Sequence, residues 1–458
     1  MFNAEYNPFG KRLAELEATD LEKLRQVSEG WYIEYKSALP TPNKVAKAVA
    51  AFANTYGGWL FIGIEEAQNR QRTAGGFPGL DATKIAGEDE RLRNSIAANI
   101  FPTPYFETKH IYGSTDATLP PSRAVIVIFV PRSSETPHIH SDGRIYRRVG
   151  DQSDPKHEVD PYQVQKLSAR KADLESKVEE RLALAPPLPQ GERGLSLVDV
   201  IIRPRPWGER LPDHELTYED FYDVMANDSV MPISNCFTSP YGFIGRQSAG
   251  EVQLEYNAVW QYHHDGLSLV TMPLLHFSEN SPPDKHLQYL QYYSQGPAYL
   301  SEYEKRGLKG YPVIDLNWLL AFLTGVIKKH AVIENKSKLP PPYEAKLRIR
   351  NTSRVVPFLG VKSYLDFIGK SGIPFITTAD LQFPPGRGFS QLAAASDTEA
   401  IDPVGINVGV LFALALNCVG IPIHVSGIDG GDGAKLNEVV NITAEAKNVQ
   451  NIINGQTG

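Results

Sequence analysis

From residue 19 onward, short apolar runs alternate with polar breaks marked by Gly and Pro. Thr19-Asp20-Leu21-Glu22 has the form of a capping box, and Leu21 and Leu24 follow at helical spacing, which predicts a helix reaching toward Gly30. Trp31 to Lys36 is aromatic and β-branched and predicts a strand. Between Lys44 and Thr55, the residues Val45, Val49, Phe52 and Ala53 mark one face of a helix that Gly57-Gly58 ends. Trp59 to Ile64 then reads as a buried strand, Glu88 to Ile100 as a second helix closed by Phe101-Pro102, and Ala124 to Pro131 as a core strand. After the turn Ser141-Asp142-Gly143, Arg144 to Val149 predicts another strand.

Asp160-Pro161 places an N-cap and a first-turn proline at the start of a long helix running to about Leu184. The Pro-rich stretch from Ala185 to Gly191 reads as a linker. The expected division is a module over 1–160, a helix and linker over 161–193, and a second α/β domain over 194–458. That second region contains the aromatic run Glu251 to Tyr262, an expected strand, and the apolar run Leu316 to Ile327, an expected helix. Val404 to Val425 is apolar but broken by Asn407, Gly409, Asn417, Gly420 and Pro422, so a buried helix running into a core strand is expected there instead of a membrane span. The fold class expected throughout is mixed α/β (α+β), a sheet covered by helices.

At 458 residues the chain exceeds one ordinary core, and two or three domains are expected. A net charge of −7 argues against a protein that coats nucleic acid indiscriminately, because such affinity comes from neutralising phosphates, but it leaves room for a small basic groove. The two cysteines, Cys236 and Cys418, are far apart and outside any metal-ligand spacing, which predicts a reducing, cytoplasmic setting. Met1 to Glu17 has no apolar core of the kind a signal peptide needs, and no membrane association is expected.

The candidate chemistry lies around the first two strands. Strand alternation puts Glu34 and Lys36 on one face, with Glu29 just before the strand and Glu65 and Glu66 on opposite faces at the end of the Gly-Gly strand. Whichever of the last two faces Glu34 completes a group of three carboxylates beside a lysine. Carboxylates held that close repel unless a cation joins them, and Mg²⁺ or Mn²⁺ with oxygen ligands is the natural candidate. Such an ion activates water, and Lys36 could hold a phosphate or the developing negative charge. The plainer alternative is that Glu34 and Lys36 form an ordinary ion pair.

Glu29, Glu34-Tyr35-Lys36, the block Ala53-Asn54-Thr55-Tyr56-Gly57-Gly58, and Leu60 to Glu66 together resemble the Schlafen AlbA-like domain. The likeness continues through Gly79-Leu80, Asn94 to Ile100, Val125 to Pro131, Pro137 and Tyr146 to Gly150, covering roughly residues 20 to 155. The resemblance implies nucleic-acid binding. By analogy with animal members that cleave structured RNA, it also implies a metal-dependent endonuclease acting on tRNA-like RNA. Carried over by motif, the acidic triad falls on Glu29, Glu34 and Glu66, which would be both catalytic residues and metal ligands, with Lys36 assisting. This chain has Glu where the family usually places Asp after the Gly-Gly strand. The animal core pairs two lobes and one is visible here, so a homodimer is expected; bacterial antiviral defence is the setting implied by analogy. The competing expectation is a non-catalytic regulator that binds DNA or a nucleotide and carries an effector-binding C-terminal domain. Pairing of Glu29 and Glu34 with arginines would favour it.

Arg147 and Arg148, on the strand after Gly143, are expected to contact phosphate or else to tie the sheet to a neighbouring carboxylate. Asn54 is expected to bond the turn before Gly57-Gly58. His138-Ile139-His140 and His263-His264 lack a matching cluster and read as ordinary strand or loop residues. Gly427 to Gly433 lacks EF-hand spacing, Pro385 to Gly388 lacks the Lys-Ser/Thr of a phosphate loop, and there is no Walker motif.

Overall fold

The computed structural model describes residues 6–11, 13–68, 71–149, 154–183, 195–205, 207, 216–227, 231, 233–247, 258–274, 287–337, 342–384, 388–393, 402–426 and 436–453. The chain divides into two units, one formed by 1–181 with 206–214 and the other by 182–205 with 215–458. The Pro-rich run expected as a linker lies outside the described residues.

The first unit is built on a five-stranded sheet. Strand β1 (Ile33–Lys36) runs parallel to β2 (Gly58–Ile62), the crossover between them being helix α1 (Pro42–Asn54). The short strands β3 (Glu65–Glu66) and β4 (Ala74–Gly76) pair with each other, and β5 (Leu80–Asp81) leads into helix α2 (Ile85–Asn99). After β6 (Ile100–Phe101), β7 (Glu107–Tyr112) and β8 (Arg123–Val130) form a hairpin, with β8 antiparallel to β2, β5 and β7. β9 (Ile139–His140) pairs with β6, β10 (Tyr146–Arg147) with β11 (Lys156–His157), and helix α3 spans Pro161–Ala183.

Alternation along these strands makes two cores. Ile33, Tyr35, Trp59, Phe61, Val125 and Val127 face a layer containing Leu13, Leu21 and Leu24. Leu60, Ile62, Ile126, Ile128 and Val130 face α1 and α2 through Val45, Val49, Phe52, Leu92 and Ile96. Each of these side chains is essentially removed from water, which stabilises the fold by about 1.5–3 kcal/mol per large aliphatic or aromatic residue. Since Glu34 pairs with Leu60 and Lys36 with Ile62, both charged side chains share the face that α1 covers.

Several local expectations shift. The first helix is a 3₁₀ segment, Ala18–Gln26, and the side chain that bonds back at its start is Asp20, accepting from the Glu17 N–H at 3.0 Å, in place of the expected Thr19–Glu22 box. The strand expected over Arg144 to Val149 shortens to Tyr146–Arg147.

The second unit carries an eight-stranded antiparallel sheet. β12 (Leu197–Pro204) lies at its centre between β16 (Ser268–Pro273) and β18 (Tyr343–Arg350). β13 (Asn235–Ser239), β14 (Gly242–Arg246) and β15 (Val259–His263) extend it beyond β16, and β20 (Asp380–Phe383) and β21 (Ser390–Gln391) pair with β18. β17 (Val313–Asp315) and β19 (Val356–Phe358) form a separate parallel pair. Helices α4 (Tyr218–Ala226), α5 (Gly296–Lys305), α6 (Leu316–Ser337), α7 (Lys362–Ser371), α8 (Pro403–Cys418) and α9 (Leu436–Ile453) complete it. After α8 the chain forms a 3₁₀ turn, Ile423–Ser426, where a core strand was expected; Gly420 at φ +80° and Pro422 break the run. Among the described residues only α6 is long and apolar enough to cross a membrane, and 78% of its apolar window is buried within the protein. The sheet centre holds Asp199, which is 1% exposed and accepts from Thr271 Oγ1 at 2.8 Å, Arg348 Nε at 2.9 Å and Arg350 Nε at 2.8 Å.

Candidate functional site

The block Ala53-Asn54-Thr55-Tyr56-Gly57-Gly58 is a fastening. Asn54 donates through Nδ2 to the carbonyls of His138 (2.9 Å) and Tyr146 (3.0 Å), and its Oδ1 accepts from the His138 N–H at 2.8 Å. It therefore ties the end of α1 to two distant segments and does not bond its own turn as expected. Thr55 Oγ1 donates to Ala51 O at 2.7 Å and accepts from the Arg148 N–H at 2.9 Å. Both glycines are sterically required. A Cβ on Gly57, at φ +75°, would lie 2.6 Å from Arg132 N, and one on Gly58 would lie 2.4 Å from the Phe52 ring.

This fastening delivers Arg148 to Glu34. Arg148 is fully buried, with its guanidinium 4.8 Å from the centre of the Phe52 ring, and its Nη1 donates to Glu34 Oε2 at 2.6 Å. Its Nη2 donates to the carbonyls of Gly30 and, at 3.3 Å, Ile33. Burial pulls its proton affinity down, opposed by the charges of Glu34 and Glu29. The expectation that Arg148 clamps phosphate is corrected on this ground: a guanidinium with no solvent access, spent on a carboxylate and two carbonyls, ties the sheet together. Arg147 is 18% exposed and donates to Glu158.

Glu34 is 3% exposed, and its other oxygen, Oε1, lies 2.9 Å from Lys36 Nζ. Glu29, 4% exposed, accepts from the Tyr35 N–H at 2.9 Å through Oε1 and from Arg72 Nη2 at 2.8 Å through Oε2. The same Arg72 bonds Glu66 through Nε and, at 3.4 Å, through Nη2. Arg72 is held twice, since its carbonyl also accepts from the Glu29 N–H at 2.9 Å, and its φ of +52° is uncommon for a residue with a side chain. Burial pushes Glu29 up to about 6, opposed by the Tyr35 N–H and Lys36 and reinforced by Glu66 and Glu34. Glu65 is exposed and lies outside this network.

Glu29, Glu34, Glu66 and Lys36 therefore come together in one electrostatic cluster, with Arg72 and Arg148 among them. Sequence reasoning passed over Arg72, which sits in a Gly- and Arg-rich loop with nothing in its spacing to point at Glu29.

A metal does not fit this arrangement. All six oxygens of the three carboxylates already accept hydrogen bonds or ion pairs from Tyr35, Arg72, Arg148 and Lys36, and Asp154 adds a further negative charge that acts on both arginines. Among the described residues no group of three or more His, Cys, Asp or Glu is placed to hold a metal ion. His138 and His140 are buried, the Nδ1 of His138 against Pro102 O and that of His140 against Asp142.

Residues 29–157 match the sequence model of the family described as Schlafen, AlbA_2, and the N-terminal third of the chain is a domain of that kind. No curated protein matches the chain. Among solved structures, the DIP2311 protein from Corynebacterium diphtheriae is 22% identical over 30% of this chain and 27% of its own, with a TM-score of 0.20. The chain thus spans about a quarter of that protein's length, and a likeness this slight carries no argument about fold or function.

Proposed function

We propose that the first unit binds nucleic acid without hydrolysing it, as the reading module of a regulator whose second unit responds to another signal. The family match supports nucleic-acid binding. The observation that carries the rest is the pairing of Glu29, Glu34 and Glu66 with Arg72, Arg148 and Lys36. A hard divalent ion needs several free carboxylate oxygens, and recruiting them here would leave a buried guanidinium unpaired, a cost of several kcal/mol. The cluster acts as a brace that joins β1, the Tyr146–Arg148 segment and the β3–β4 hairpin.

Phosphate contact falls to exposed cations of the same unit. Lys47 lies 3.2 Å from Asp142, which draws the 141–144 turn against α1 and leaves Lys44 and Arg144 exposed beside it. That is a small basic edge on a chain of net charge −7, suited to a directional contact. A homodimer would double this edge, and sedimentation in the presence and absence of RNA tests it. Binding itself is tested by titrating the purified protein with labelled tRNA and single-stranded DNA at several salt concentrations. Saturable binding that weakens with salt supports the reading; its absence for both ligands contradicts it.

A further inference from the structure

In the second unit, helix α6 carries a buried histidine whose ring nitrogens meet no hydrogen-bond partner among the described residues. His330 is 3% exposed, and neither Nδ1 nor Nε2 has a hydrogen-bond partner among the described residues. Burying two polar ring nitrogens without partners is costly, so such a group points to something that meets it. His330 lines a cavity of about 70 Å³ together with Glu334, Tyr343, Ala331, Val404 and Asn407. That volume has room for several waters or a ligand of about four to six heavy atoms.

The chemistry of the lining is specific. Glu334 lies one helical turn after His330, on the same face of α6, and is partly buried; no ion pair to it exists among the described residues. Burial raises its proton affinity. Burial also lowers His330 to about 4, so its ring is neutral near pH 7 and offers one acceptor and one donor. The Tyr343 ring stands edge-on to His330, with centroids 4.6 Å apart. On the opposite wall the Asn407 amide is already used, accepting from the Ala393 N–H at 2.8 Å and donating to Ala393 O at 3.1 Å, so this wall is fixed. A desolvated carboxylate, a neutral imidazole acceptor and an aromatic ring, framed by apolar side chains, suit a small cation with N–H donors.

We propose that the cavity bounded by His330, Glu334 and Tyr343 binds a small ligand bearing an ammonium group. Glu334 takes its charge, His330 accepts one N–H, and Tyr343, Ala331 and Val404 cover its apolar end. This inference is independent of how the first unit acts.

The test uses the full chain and n-propylammonium, with 1-propanol and propionate as probes of similar size and different charge. Binding is read from the ring nitrogen resonances of His330 during titration up to roughly 10 mM, the range within reach of so small a ligand. Propylammonium is expected to shift them saturably, propanol to bind at least roughly tenfold more weakly, and propionate to have no effect. Glu334→Gln is expected to weaken propylammonium roughly tenfold. Ala331→Leu, which fills the space and removes no polar group, is expected to abolish the shift while the protein stays folded. The proposal is overturned if propylammonium gives no saturable shift, if propanol binds as well, or if the shift survives in Ala331→Leu. The first and last of these remain decisive should Glu334→Gln fail to fold.

Discussion

Arg148 Nη1 and Glu34 Oε2 are 2.6 Å apart, between side chains that are 0% and 3% exposed. The two residues are 114 positions apart in sequence, and their pairing closes the first unit around α1. Removing one partner strands a buried charge, whereas replacing both with apolar groups removes the problem. Arg148→Met alone is expected to destabilise the protein by about 3–5 kcal/mol in urea denaturation, and Glu34→Leu/Arg148→Met together by less than the sum of the two single changes. A loss below about 1 kcal/mol for Arg148→Met would place that pair in water, contrary to the structure.

The hydroxyl of Thr55 meets a second buried donor of the same segment. It accepts the Arg148 N–H at 2.9 Å, and Val would keep the shape but leave that buried donor unmet. Thr55→Val is expected to cost about 1–3 kcal/mol. Asn54→Ala, which forfeits three bonds to His138 and Tyr146, is expected to cost more. Equal and negligible effects in thermal or urea unfolding would mean that the Ala-Asn-Thr block serves some purpose other than fastening.

Glu29 gives a pH dependence with a definite sign. Its ordinary value of 4.5 rises to about 6 in the fold, with burial as the largest cause. Below pH 4.5 it carries its proton in both folded and unfolded chains. Between pH 4.5 and 6 the unfolded chain releases that proton first, so the group's favourable contribution is lost as pH rises through 6, by about 2 kcal/mol. Comparing wild type with Glu29→Gln in urea from pH 4 to 8, the difference is expected to move in the variant's favour across this window. A difference that stays flat with pH would show that Arg72 holds the carboxylate near its ordinary value.

The basic edge is open to a salt titration. Lys44→Glu/Arg144→Glu is expected to weaken RNA and DNA binding and to flatten the dependence of log K on log salt by about two. Lys36→Ala is expected to leave that slope nearly unchanged, since its ammonium is committed to Glu34 at 2.9 Å. The reverse pattern would move the phosphate contact to the carboxylate cluster.

Much of the first unit could be read along the chain because its signals are local. The period of Val45, Val49 and Phe52, the glycines at 57 and 58, and the alternation placing Glu34 beside Lys36 each depend on near neighbours. What escaped depends on distance in sequence. Arg72 reaches Glu29 across 43 positions, and nothing in the spacing of a polar loop announces that contact. The role of Arg148 was similarly open, since a strand of alternating residues says which face a side chain takes but not whether another element covers it. Asn54 misled for the same reason: its partners at 138 and 146 are invisible to any local window. In the second unit, the eight-stranded antiparallel sheet pairs β12 with β18 across about 150 positions, and a linear pattern holds no record of such a register.

On the proposed reading, the three carboxylates brace the fold and do not gather a metal. The most direct measurement incubates the purified chain with total tRNA and with single-stranded DNA in Mg²⁺, Mn²⁺ or EDTA, beside a Glu34→Ala variant. Binding with intact nucleic acid in every metal is the expected result. Fragments that need the metal and vanish in Glu34→Ala would overturn that reading and make Glu29, Glu34 and Glu66 a nuclease site.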